Sequence, residues 1–137
     1  MSIVYLKNKP IIFCFFLSIY GCFSVQKLIT NEDIVAEGLP IYERECLACH
    51  MSDGRGVPGM TPGLFNSPWL AGPQESLIAY ILTGGFGPQV QMARFDFLSD
   101  DEIAKVLTYS KLMYLGERAI ITTELVKDIR EEINSIR

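Results

Sequence analysis

A chain of 137 residues, 49% apolar and 20% charged, has room for one folded domain behind a hydrophobic leader. Sixteen acidic against 12 basic side chains give a formal charge of −4, which argues against nucleic acid as a partner. A partner with a basic patch suits this balance, and so does a plain solubilising surface.

The chain begins as an export leader. Lys7 and Lys9 precede an apolar run from Ile11 to Ile19, and small residues follow at Gly21 and Ser24, where a peptidase would cut. From Ile11 to Val25 the run is 15 residues, short of the ~20 that cross a bilayer as a helix. Ile19-Tyr20-Gly21-Cys22 resembles a bacterial lipoprotein cleavage box, although Tyr20 is bulkier than usual. The reading is therefore a signal peptide over 1–21, possible lipid anchoring through Cys22, and a periplasmic location. An ordinary leader with an idle or discarded Cys22 is the alternative. Cys14 leaves with the apolar run. Loss of 1–21 leaves 10 basic and 16 acidic side chains, a formal charge of −6. Residues 22–30 then form a tether, and 31–137 the folded domain, with a helical extension from about 117.

Thr30 or Asn31 caps a first helix whose opening turn carries Glu32 and Asp33, suited to the positive end of a helix dipole. Ile34, Gly38, Tyr42 and Cys46 recur at steps of four and form one stripe. Pro40 predicts a late start or a kink. A glycine on the stripe lets another helix cross closely.

The stripe leads into Cys46-Leu47-Ala48-Cys49-His50. Thiols at i and i+3 of a helical turn point the same way, as addition to two vinyl groups of one haem requires. The adjacent imidazole can turn under the porphyrin and bind iron. This is the attachment signature of haem c. Zinc would want four ligands, commonly two separated pairs, and the second pair is missing. A redox dithiol would want a βαβ context, and a Cys46–Cys49 disulfide would close a strained loop.

With Gly38 and Tyr42 eight and four residues before Cys46, the chain from Gly38 to about Arg130 resembles a class I c-type cytochrome. More narrowly, the run from Pro62 through Trp69 and Gly84 to the helix after Ser99 is similar to cytochrome domains associated with bacterial dehydrogenases and oxidases. The resemblance implies an all-α fold, three to five short helices wrapped around one covalently bound haem, with the N- and C-terminal helices crossing. It also implies that Pro62 accepts a hydrogen bond from the free ring nitrogen of His50, and that Trp69 donates to a haem propionate or serves as core.

Ser52 to Gly63 is loop, with four glycines and two prolines. Leu64, Phe65, Trp69 and Leu70 are expected to cover the macrocycle. Gly72-Pro73 opens a short helix in which Ser76 to Thr83 carry Leu77, Ile78, Ile81 and Leu82 inward, and Gly84-Gly85 ends it. Gly87-Pro88 then turns the chain toward Met92. Ser99-Asp100-Asp101-Glu102 is a capping box. Its helix presents Ile103, Val106, Leu107, Ser110 and Met113 on one face, and the resemblance implies that Tyr109 meets the first helix near Gly38. Thr122-Thr123-Glu124 opens a last helix with Leu125, Ile129, Ile133 and Ile136 in line, covering the protein's own core or a docking partner.

Met92 is the expected second axial ligand. Met51 adjoins His50 and cannot reach the other face, Met113 lies on an inward helix face, and Met60 sits in a loop running past the histidine. Met92 is 42 residues beyond His50, far enough to wrap the haem edge, and this order matches the family. Ala93 and Arg94 follow it where the family commonly has proline, so the ligand loop is less rigid. Met60, or no methionine, is the alternative. Histidine with methionine closes the iron to substrates and leaves single-electron transfer rather than catalysis. The expectation is an electron-transfer protein and not an enzyme, serving redox partner proteins: a dehydrogenase, an oxidase or a reductase. A haem-based sensor or gas-binding module, or a non-catalytic subunit of an oxidoreductase, is the alternative.

Overall fold

The computed structural model describes residues 28–65, 67–86 and 91–136. The leader, Cys22, most of the tether and the Gly87-Pro88 turn lie outside the described residues. Thr30 starts helix α1, Asn31–Glu45, through a capping box: its hydroxyl accepts from the Asp33 amide at 3.1 Å, and the Asp33 carboxylate accepts from the Thr30 amide at 2.9 Å. Contrary to the expected late start, α1 begins at Asn31 and runs continuously through Pro40. Proline forfeits one intrahelical bond there. Burial of Ile34, Gly38, Ile41 and Tyr42 on both sides of Pro40 offsets that loss.

Cys46 separates α1 from the single turn α2, Leu47–His50. After the expected loop come α3, Pro68–Ala71, capped by Ser67, and α4, Gln74–Thr83, which opens directly after Gly72-Pro73. Leu77, Ile78, Ile81 and Leu82 are buried on α4, as expected. Two short strands follow, β1 at Gly85–Phe86 and β2 at Gln91–Met92, antiparallel with Gly85 opposite Met92. Then come α5, Asp100–Leu115, and α6, Thr123–Ser135. The fold is thus all-α; among the described residues, four helices of two turns or more are joined by single turns and one minimal strand pair.

Helix α5 is central. Its start is the expected capping box, with the Ser99 hydroxyl accepting from the Glu102 amide at 3.2 Å and the Glu102 carboxylate accepting from the Ser99 amide at 3.0 Å. The crossing with α1 falls at Gly38. A β-carbon there would overlap that of Tyr109 and stand 2.8 Å from the Lys105 carbonyl oxygen. Such an approach is open only to glycine. Tyr42 is 1% exposed and lies against Tyr109, ring centroids 5.5 Å apart.

Met113 departs from expectation. It is exposed, whereas Ile103, Val106, Leu107 and Ser110 are buried. In the last turn of α5, Lys111 and Tyr114 face inward instead.

The extension from about 117 covers the protein's own core. Val126 is fully buried, Leu125, Ile129 and Ile133 pack against the core, and Ile136 at the end is exposed. Arg130 of α6 fastens this layer. Its guanidinium donates to the Asp100 carboxylate at 2.6 Å and to the carbonyls of Asp96 and Leu98 at 2.8 and 2.7 Å.

Candidate haem site

A cavity of about 270 Å³ lies between α5 and the segments on either side of α4. Cys46, Cys49 and His50 form one part of its wall, and Pro62, Leu64, Trp69 and Leu70 another. Leu77, Tyr80 and Ile81 of α4, Met92 of β2, and Val106, Leu107 and Ser110 of α5 complete it. All six residues expected to bind the cofactor therefore reach one largely apolar space. The seventh candidate, Cys22, is outside the described residues.

The two cysteines are free thiols, so the disulfide alternative is not realised. Burial, helped by the neighbouring Glu45 carboxylate and Cys49, pushes the Cys46 thiol up to about 12. Cys49 is exposed. Among the described residues no group of three or more His, Cys, Asp or Glu is arranged to hold a metal ion.

His50 is set by the loop that follows it. The Gly56 amide donates to the His50 carbonyl at 3.1 Å, and Val57 and Thr61 pair across a narrow turn at 2.9 and 2.8 Å. This turn brings Pro62 back to the imidazole. A β-carbon on Gly56 would overlap the Thr61 carbonyl oxygen and lie 2.8 Å from that of Pro62, so glycine (φ 69°) lets the return segment close. Burial lowers the His50 pKa, and the Pro62 carbonyl, as an acceptor, works against that. Even so, Nδ1 is buried without a hydrogen bond of normal geometry. A buried, unsatisfied ring nitrogen beside a carbonyl, on an imidazole that lines the cavity, fits a histidine whose other nitrogen is a ligand.

Met92 lines the cavity, while Met51, Met60 and Met113 are exposed and do not. Trp69 is half exposed and stacks on Tyr80 at 4.4 Å. Leu64 and Leu70 cover the cavity as expected, but Phe65 does not. It lies edge-on against Tyr114 at 5.6 Å and stays half exposed, because the turn before Ser67 points it away. Sequence reasoning missed Tyr80 and also Lys111, which is 3% exposed. The Lys111 ammonium donates to the Leu70 carbonyl at 2.7 Å and pairs with Glu117 at 3.2 Å, tying α5 to a cavity wall. Its place four residues after Leu107 on a buried face was the available signal.

Residues 33–109 match the family described as cytochrome c oxidase, cbb3-type, subunit III. The chain is a class I c-type cytochrome. It is 31% identical over 119 residues to the gluconate 2-dehydrogenase cytochrome c subunit of Pantoea cypripedii, an alignment covering 79% of this chain and 27% of that protein. The chain thus spans about a quarter of that relative. It is also 33% identical over 113 residues to cytochrome c-552 of Thermus thermophilus, covering 69% of this chain and 85% of the relative. Membership of this cytochrome family makes the chain an electron-transfer protein and implies haem c as its cofactor.

Proposed function

We propose that this cytochrome is a single-electron carrier holding one low-spin haem c, attached through Cys46 and Cys49 and ligated by His50 and Met92. The observation that carries the reading is the convergence of these four side chains on one apolar cavity. When bound, the haem supplies a one-electron ferric/ferrous couple. The cysteines anchor it, and the Pro62 carbonyl orients the His50 ring and makes it a stronger donor. The Met92 thioether and the apolar wall both disfavour the additional charge of the oxidised state and raise the potential. His50 and Met92 would together hold the iron and would leave it no coordination position for a substrate.

The setting belongs to the same proposal. The leader 1–21 directs the protein out of the cytoplasm, residues 22–30 serve as a tether, and a lipidated Cys22 holds it at the membrane, where it serves a dehydrogenase or a terminal oxidase or reductase. Similarity to a dehydrogenase cytochrome subunit supports a place beside a catalytic partner. Expression with a haem-attachment apparatus tests the reading. The denatured protein should retain haem, give a c-type pyridine haemochrome spectrum, and yield a haem peptide containing Cys46 and Cys49. Colourless protein, or haem extracted by acid solvent, overturns it. The intact mass in the same experiment reports whether the chain starts at acylated Cys22, and an unmodified start at Val25 overturns the lipid anchor alone.

A further inference from the structure

The residue after the histidine holds an unusual backbone. Met51 has φ 60° and ψ 164°, and it is the one non-glycine with positive φ among the described residues. That conformation suits glycine and is costly for a side chain with a β-carbon. Packing of the Met51 side chain does not explain it, since that side chain is exposed. The hydrogen bonds do. The Tyr42 hydroxyl, on the buried face of α1, donates to the Met51 carbonyl at 2.7 Å, and the Gly54 amide donates to the same oxygen at 3.2 Å. The Met51 amide donates to the Leu47 carbonyl at 2.9 Å, closing α2. The residue after His50 is thus held at both ends, its amide by α2 and its carbonyl by Tyr42 of α1 and by the Gly54 amide.

We propose that Tyr42 is a positioning residue for His50: its hydroxyl holds Met51 in the strained conformation, and this fixes the backbone from which the imidazole enters the cavity. The proposal rests on the reading of His50 as an iron ligand. Without the hydroxyl, Met51 relaxes toward ordinary φ, and that rotation pulls on the His50–Met51 peptide against its bonds to Leu47 and Gly56, so the ring shifts. A phenyl ring in place of the Tyr42 phenol keeps the ring contacts with Tyr109 and Tyr114 but also removes a side-chain hydrogen bond with Tyr114, a loss that the Met51→Gly background shares and the cycle cancels.

A double-mutant cycle on the haem-loaded protein tests this. Tyr42→Phe should lower the folding constant about tenfold, the scale of one hydrogen bond, and shift the g values of the ferric low-spin signal, which report the orientation of the axial ligand. Met51→Gly removes the strain, so in that background Tyr42→Phe should leave the g values unmoved and cost about threefold or less. Met51→Ala keeps the β-carbon and should behave as the parent. Should Tyr42→Phe alone not fold, Met51→Gly should restore it. Equal effects of Tyr42→Phe in the parent and in the Met51→Gly background, unchanged g values in Tyr42→Phe, or absence of rescue overturns the proposal. A parent protein without covalent haem overturns the haem reading instead.

Discussion

The α1–α5 crossing and the cavity beside it are built from neighbouring residues of the same helices, yet they are finished differently. At the crossing, Gly38 meets Tyr109 and the Lys105 backbone with no space left, so the protein's own atoms complete the packing. At the cavity, just past the end of α1, the thiol of Cys46 and the apolar faces of Val106 and Leu107 line open space, and a buried His50 nitrogen lacks a partner. Interiors are close-packed and buried polar atoms are hydrogen-bonded almost without exception. The His50 nitrogen faces the Pro62 carbonyl, and the apolar space beside the attachment signature is room for the haem c that family membership implies. The crossing supplies the rigid frame against which that site is held open.

Breaking the frame should have the largest effect. Gly38→Val places two extra methyl groups where not even a β-carbon fits, against helix backbone that cannot yield, and should cost ~3 kcal/mol or more. Thermal denaturation followed by far-UV dichroism measures it, and an unaltered melting temperature would show that the helices do not meet there. The oxidised spectrum of whatever folds should change little, because Gly38 does not line the cavity.

A smaller effect sharpens the same contrast at the mouth of α5. Glu102 caps its own helix through Ser99 and accepts from Arg44 of α1 at 2.7 Å. The Ser99 backbone amide, first among these donors, holds its carboxyl below the usual range. A lowered folded pKa means that the stability contribution is present above the unfolded value of about 4.3 and is lost as pH falls through the folded value. Glu102→Gln keeps a capping-box acceptor but loses the charge at the helix N-terminus, and should therefore cost about 0.5 kcal/mol at neutral pH. Parent and variant should converge in stability below that lowered pKa. A constant difference down to strongly acidic pH would show that the charge contributes nothing.

Much of this was legible in the amino-acid order because it is local. The capping box of α5, the attachment signature and the apolar face of α4 are set by residues three or four apart. Of the second capping box, Thr30 with Asp33, only a cap followed by acidic residues was legible. Gly38 was legible from its place on a stripe. Other features depend on contacts far along the chain. Pro40 sits inside an unbroken helix because tertiary packing outweighs its local penalty. Phe65 and Met113 point outward because the backbone turns before Ser67 and because Lys111 and Tyr114 take the inner side of the last turn. Lys111 finds its acceptor 41 residues away, and Arg130 finds Asp100 at 30. The strain at Met51 has no signature in the residue type, since methionine gives no hint of positive φ.

The most direct test of the central claim, that the cavity is completed by an iron group between His50 and Met92, is the weak red absorption that marks an iron–thioether bond. It is recorded on oxidised Met92→Ala and Met60→Ala proteins. Met92→Ala should lose the band, fall in potential and bind carbon monoxide when reduced, while Met60→Ala, changed at an exposed loop position, should match the parent. Retention of the band in Met92→Ala with its loss in Met60→Ala would contradict the account.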